Sequence, residues 1–571
     1  MNCEKEYLKC PDPLTGRSYG WTVEIEDGRR IPWRGFYTGP LRLTAVEINE
    51  ICRTLLGCET AQIGDQVDEV LQPAIGARTA KWPALILHST TPELKSFEGD
   101  VHALATGKAP GDLTTYKETR SVYFCRPGDV AVGRTSTWKK AVMATGTEAV
   151  ELPDRDHYYL SHALLCLAAE HQIRPSVAIE KLLMHMRRGP RLIRLYALEL
   201  EMQIFLLWLA RSAGIEKLPV EANRPSISAA WNRKAVLHPT ITEALSLKGP
   251  VPGQSPAQLL KLESSRSALA RTMGIEVPTV PGYTIERTGR DMEGFVRQFL
   301  SAASLLRKRY NLTTGCLKAS EAGDGARITT GLDLASQSTL ERLARQGYPY
   351  GDDYVLEAHV HYRRLSLGGQ ELVTALSAHI RRGRVVEGAT IQFMEGTSWK
   401  GNVCLDEGTH ALFQVPSLHY SRLQSFIKDF REAFRKKEPG LALAGIDFSV
   451  GAVGGAFGDE VLLGVEDLNV SFTGAECLRE FLEKARHGSD CCERRRYGLV
   501  RVYRPQPGSD LGSFRQVTQA ATREGLYADT IASIPGRWGM VGITGADPLD
   551  AIENLHRLQR TLLEQRLIDE P

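Results

Sequence analysis

The chain has no Cys-x-x-Cys pair, no apolar run long enough for a bilayer and no surplus of either charge. Its 11 cysteines are odd in number, and Cys491 and Cys492 stand side by side. That spacing suits neither a zinc ribbon nor a disulfide framework. The thiols are therefore expected to be reduced, in a cytoplasmic protein, several of them filling the core. The most apolar helical stretch, 202–210, falls short of the ~20 residues a bilayer needs. The N-terminus, Met1-Asn2-Cys3-Glu4-Lys5-Glu6, has no apolar h-region, so no signal peptide is expected. Lys and Arg number 70 against 68 Asp and Glu, a net charge of +2. A polyanion-binding surface is excluded as the main theme, and neither nucleic acid nor membrane is an expected partner. Glycine (52) and proline (28) follow no repeat, which excludes collagen-like and low-complexity chains.

What is present is an ordinary globular balance, 42% hydrophobic and 24% charged over 571 residues, enough for about three to four domains. Changes of texture divide it into 1–155, a helical block 156–224, a long segment 225–500 and a compact tail 501–571. The first segment mixes a helix over 43–56 with strands over 84–88 and 121–125. The block, broken at Pro175 and Gly189-Pro190, reads as three helices. Beyond it come a helix over 264–273 closed by Gly274, a helix over 291–310 and a strand ending in Leu317-Lys318-Ala319. Next are a helix around Leu340, a strand over 354–360, and a strand over 374–380 turning at Arg381-Arg382-Gly383-Arg384. A strand over 444–450 then leads through the glycine-rich stretch 451–458 into a strand over 461–465, an antiparallel pair. Helices interspersed with antiparallel strands argue the α+β class. The tail carries a helix over 513–524, a strand over 538–543 and a last helix with Asp547 as N-cap and Pro548 at its first position.

Three groups of residues can carry chemistry. In Leu317-Lys318-Ala319-Ser320-Glu321-Ala322-Gly323-Asp324-Gly325-Ala326-Arg327, a lysine leaves a strand beside two glycines. An ammonium with closely approachable backbone N–H groups suits a nucleoside triphosphate, although a solvated lysine by a turn is the commoner meaning. The Gly-x-x-x-x-Gly-Lys-Ser/Thr loop is absent. In the second group, Asp467 and Asn469 fall on one face of a strand end and Glu466 on the other, with Asp447 on the partner strand. Two carboxylates and an amide oxygen are hard ligands suited to Mg²⁺, against the alternative of a solvated acidic edge. The third group, Val355-Leu356-Glu357-Ala358-His359-Val360, is a strand and turn whose backbone can meet an adenine edge. His359 and His361 share a face but have no third ligand at a useful spacing. No Ser/His/Asp or Cys/His nucleophile signature is present.

In this order and at this interval, the three groups resemble the ATP-grasp superfamily of carboxylate–amine ligases, and the tail resembles that of the pheganomycin-type peptide ligases, over roughly residues 225–571. The resemblance implies an ATP-grasp fold, two α+β lobes gripping ATP over 225–500. An N-terminal pre-ATP-grasp α/β domain would span 1–155, an inserted helical block 156–224, and a small C-terminal α/β domain 501–571. It implies nucleotide contacts from Arg266 (with Lys234 a rival), Lys318, Ser320, Gly323, Gly325, Glu357, Ala358, His359 and Val360. Catalytic roles fall to Lys318 and Arg327, and Mg²⁺ to Asp447, Asp467 and Asn469. Glu466 is an alternative ligand, because Asp467 stands where the family usually has glutamate, and Ser471 stands where an arginine often follows. The implied activity is ATP-dependent amide-bond formation through an acyl phosphate, in natural-product or peptide biosynthesis. Acylation of a carrier-protein thiol and a catalytically inactive nucleotide-binding regulator are the alternatives. Amino acids or peptides are the implied substrates, a second copy of the chain is a candidate partner, and Arg363, Arg364, Arg381 and Arg382 are candidate carboxylate contacts.

Overall fold

The computed structural model describes residues 4–11, 18–26, 29–31, 43–76, 81–89, 94–108, 120–133, 142–143, 145–152, 159–189, 191–247, 254–321, 327–396, 398–486, 495–523, 527–534 and 538–569. Three layered units follow one another along the chain. The class is α+β, as the alternation of elements implies.

The first unit is built on a six-stranded parallel sheet, in the order Leu71–Pro73, Leu218–Val220, Leu192–Leu195, Ala84–Leu87, Val130–Gly133 and Glu148–Glu151. Every residue of Ala84–Leu87 and of Leu192–Leu195 is buried, as a strand covered on both faces requires. Helices Leu160–His171 and Leu200–Ala213 pack beside it in one apolar cluster. The expected three-helix block is therefore interrupted: Gly189-Pro190 leads into strand Leu192–Leu195 before the last helix. A four-residue buried run has no period by which to tell strand from helix. At 121–125 the expected strand is instead a 3₁₀ turn, Val122–Phe124.

The second unit is a four-stranded antiparallel sheet in the order Gly282–Ile285, Tyr354–Ala358, Thr314–Ala319, Ile328–Asp333. Helix Met292–Tyr310 lies on it, capped by the Asp291 carboxylate, and buries Phe295, Phe299 and Leu306. The third unit is an antiparallel sheet of eleven strands among the described residues. Helix Ser417–Lys437 covers one face with Leu423, Ile427, Phe430 and Phe434. The tail strands Tyr497–Tyr503, Trp538–Gly545 and Ala528–Ile534 extend this same sheet beyond strand Ser398–Leu405. Gly401 makes the junction possible: at φ +138° it passes so close that a Cβ would meet the Val500 carbonyl oxygen at 2.0 Å. No helix among the described residues is long and apolar enough to cross a membrane.

The first unit docks on the third through buried charge. Glu480, in helix Ala475–Arg486, takes Arg126 at 2.7 Å and Arg381 at 3.5 Å. Burial alone would raise its carboxyl, but Arg381 and Arg126 outweigh it and hold it down at about 2, from 4.5. A depressed folded value means that this stabilisation is complete above about pH 4.5 and is lost as the pH falls towards 2. Glu480→Gln is expected to cost about 3–5 kcal/mol, because two guanidinium groups lose a buried partner. Thermal melts at pH 7 and pH 3 check this: the variant's deficit should be large at pH 7 and smaller at pH 3.

Candidate functional site

A cavity of about 1090 Å³ lies where the three units meet. Its wall includes Lys318 and Glu357 from the four-stranded sheet, and Asp447, Glu466, Asp467 and Asn469 from the eleven-stranded sheet. Two groups about 130 residues apart in sequence thus face one space.

Lys318 is buried at the centre of the first group. Its Nζ is 2.5 Å from Glu357 Oε1 and 3.0 Å from Glu466 Oε1. Burial works against the charge, but Glu357 and Glu466 prevail and hold the ammonium well above the usual lysine range. Glu357 in turn lies 3.0 Å from His238 Nε2. Burial would raise its carboxyl, yet Lys318 and His238 bring it to about 2. Tyr362 donates to the other Glu466 oxygen at 2.6 Å. The lysine is therefore held extended, facing the cavity, by carboxylates that are themselves held.

The acidic group forms where strands Ala444–Ala452 and Val461–Asn469 pair, with Asp447 opposite Asp467 and Gly445 opposite Asn469. Asn469 Nδ2 donates to Asp447 at 3.1 Å, Ser377 Oγ donates to the other oxygen, and Gln392 Nε2 is 3.3 Å from it. Burial, then the neighbouring Asp467, pushes the Asp447 carboxyl up to about 7. Lys234 Nζ meets Asp467 at 3.2 Å, an ammonium standing where positive charge is wanted. Two crowded carboxylates and an amide oxygen fit a hard divalent cation. No group of three or more His, Cys, Asp or Glu side chains in metal-binding array occurs among the described residues. Glu466 falls at a register shift between the two strands and lines the same cavity as Asp467, so the opposite facing expected from strict alternation does not hold; Lys318 and Tyr362 occupy its two oxygens.

The other expected residues fall in different places. Ala358, His359 and Val360 line the cavity. The Ala358 and His359 N–H groups are taken by the Pro281 and Thr314 carbonyls, so an edge-on ligand would meet the remaining backbone groups. His359 and His361 make a ring contact at 4.8 Å with no third ligand. Ser320 is buried and accepts from the Ala235 N–H, tying the Lys234 segment to the Lys318 strand. Arg266 is not part of the cavity wall, whereas Lys234 is. Arg327 pairs with Asp352 and lies 4.8 Å from the Tyr350 ring centroid, also off the wall. Gly323 and Gly325 lie outside the described residues. Arg381 is engaged by Glu476, Glu480 and Glu483, so it is structural; Arg364 reaches the wall.

Several side chains carry no local signal and went unread. His238, Tyr362, Ser377 and Gln392 matter only through partners brought by the fold. So does buried Asn223, just past strand Leu218–Val220. It donates to the Leu443 and Val470 carbonyls, both at 2.7 Å, and accepts from the Ala442 N–H at 2.7 Å and the Leu443 N–H at 2.9 Å. It ties the first unit to the chain just before strand Ala444–Ala452 and just after strand Val461–Asn469.

No protein-family model matches the chain. No curated protein matches it significantly either. Among solved structures, the chain is similar to an N5-carboxyaminoimidazole ribonucleotide synthetase in its ADP complex, at 9% identity over 87% of this chain and 99% of that one, with a TM-score of 0.41. It is also similar to the biotin carboxylase domain of Hydrogenobacter thermophilus 2-oxoglutarate carboxylase, at 12% identity, 86% and 91% coverage and a TM-score of 0.41. A third likeness is D-alanyl-alanine synthetase A from Vibrio cholerae, at 14% identity, 50% and 67% coverage and a TM-score of 0.28. At such identities and scores these likenesses leave open what this chain binds.

Proposed function

We propose that the chain is an ATP-dependent ligase of the ATP-grasp type, joining a carboxylate to an amine. One observation carries the reading: a held ammonium, Lys318, and an acidic oxygen group, Asp447–Asp467–Asn469, reach one cavity from two different sheets. That is the charge pattern a metal-bound triphosphate needs, cationic on one side and cation-holding on the other.

Asp447, Asp467 and Asn469 would hold Mg²⁺, which, when bound, neutralises phosphate charge. Lys318, fixed by Glu357 and Glu466, presents its ammonium to phosphate oxygens without having to reorganise. Lys234 sits ready to shift from Asp467 to a phosphate. In the reaction a substrate carboxylate oxygen bonds the γ-phosphorus as the bond to ADP breaks. An amine nitrogen then bonds the acyl carbon as phosphate leaves, and the amine gives up a proton. The protein supplies position and charge rather than a nucleophile, in keeping with the lack of any nucleophile signature. Peptide or natural-product assembly is the setting that the tail's resemblance favours.

The test is ADP release from the full-length protein with ATP, Mg²⁺ and pooled amino acids and carboxylic acids. ADP formation that requires both a carboxylate and an amine is expected. ATP binding without turnover under any pair would favour a nucleotide-binding regulator instead.

A further inference from the structure

One row of the large sheet next to the proposed metal group also faces the cavity and has no part in the chemistry above. Strand Gln370–Arg381 runs beside Ala444–Ala452, with Ser377 opposite Asp447 and His379 opposite Gly445. Ser377 and His379 are two residues apart, so they share a face, and both line the cavity. Gly445 is in turn opposite Asn469 and puts no side chain between it and His379. The Thr473 methyl, 2.5 Å from where a Cβ would stand, covers that step of the sheet. His379 therefore lies two strand spacings, about 10 Å, from Asn469 on the floor of the same space.

The His379 imidazole is set by Arg479, from helix Ala475–Arg486. Arg479 Nη2 lies 3.2 Å from His379 Nδ1. A guanidinium only donates, so Nδ1 accepts and the ring proton sits on Nε2. Burial, then Arg479 and Arg381, holds the imidazole well below the usual histidine range, which keeps the ring neutral. The ring is 1% exposed; Nδ1 is taken by Arg479, and Nε2, unpartnered among the described residues, is not sealed from the cavity. Arg479 is itself buried and, among the described residues, pairs with no carboxylate. Its Nη1 meets Cys404 Sγ at 3.6 Å and its Nε has no partner. A buried positive charge behind an imidazole polarises it, so the Nε2–H bond strengthens as negative charge gathers on its acceptor.

We propose that His379 donates Nε2–H to the oxygen that stays on the acyl carbon when the substrate carboxylate is phosphorylated, and that Arg479 is the positioning residue that holds this donor in place. The proposal rests on the ligase reading and adds to it the group that meets the charge on that oxygen as the amine attacks.

The test is calorimetric binding to the full-length protein, with Mg²⁺ and ADP, of two probes. One is 2-oxopropylphosphonate, a stable copy of the smallest acyl phosphate; the other is propylphosphonate, the same molecule without the acyl oxygen. With ADP bound, the first should bind about tenfold more tightly, the scale of one hydrogen bond in a site closed to water. His379→Phe should erase that preference and leave ADP affinity unchanged. His379→Gln, whose amide can donate from near the place of Nε2, should keep part of it. Nitrogen NMR of histidine-labelled protein should show the His379 proton on Nε2 alone. Arg479→Met should let both tautomers appear, a change that a merely structural role for Arg479 would not give. Equal binding or no binding of the two phosphonates while ADP binds, a preference that survives His379→Phe, or a proton on Nδ1 in the unaltered protein would overturn the proposal alone. Failure of ADP itself to bind would contradict the ligase reading, and the proposal with it.

Discussion

Replacing Lys318 with alanine is expected to weaken ATP binding by about 100-fold and to cut ADP release by about 1,000-fold, the scale of removing one preorganised charge from a reacting group. The size follows from how the side chain is held. Glu357 and Glu466 fix the ammonium at 2.5 and 3.0 Å, and His238 and Tyr362 fix those carboxylates. The phosphate therefore meets a charge already in place. The substitution also leaves two carboxylates without their cation, a structural cost of about 3–5 kcal/mol when a buried pair is broken. The double variant Lys318→Met, Glu357→Gln removes the cation with the more buried of its two carboxylates and should recover part of that thermal stability without recovering ATP binding. Isothermal titration with ATP and a melt of each variant separate the two effects. Near-normal turnover in a folded Lys318→Ala protein would contradict the role given to the lysine.

The second large effect belongs to the acidic group. Asp447→Asn and Asp467→Asn should each abolish the Mg²⁺ dependence of ATP binding and lower turnover by about 1,000-fold, since each would remove a charged ligand from the proposed Mg²⁺ site. Both oxygens of Glu466 are occupied, by Lys318 and by Tyr362. Glu466→Gln should therefore act like a mild Lys318 defect and leave the Mg²⁺ dependence intact. Asp467→Glu, which keeps the charge and adds one methylene, should retain activity. The readout is ATP affinity as a function of Mg²⁺ concentration. A Glu466→Gln protein that loses its metal response while Asp467→Asn keeps it would reverse the assignment.

What the sequence disclosed depends on how local the signal is. Helix 292–310 was legible because its apolar residues step by three and four; Asp291, expected as its first residue, is its cap. The pairing of Asp447 with Asp467 was legible because two short strands flank a glycine-rich stretch. The facing of Glu466 was not, since a register shift there breaks the alternation on which it was expected to point away. Neither the middle of the large sheet nor its longest helix could be read so readily. Strands Ala389–Glu395 and Ser398–Leu405 and helix Ser417–Lys437 went unassigned. The two strands pair with each other as a hairpin, and only Ser398–Leu405 has a distant partner, tail strand Tyr497–Tyr503. In the parallel sheet of the first unit only Ala84–Leu87 was legible, since the other strands are four residues or fewer, too short to show a period. Arg266 and Lys234 were rivals on spacing alone; only the third dimension puts Lys234 beside Asp467.

The most direct measurement is a crystal structure of the protein with Mn²⁺ and a non-hydrolysable ATP analogue. Anomalous scattering should locate the metal on Asp447 and Asp467, with the triphosphate between it and Lys318. A nucleotide bound outside this cavity, or a metal held by other residues, would contradict the assignment.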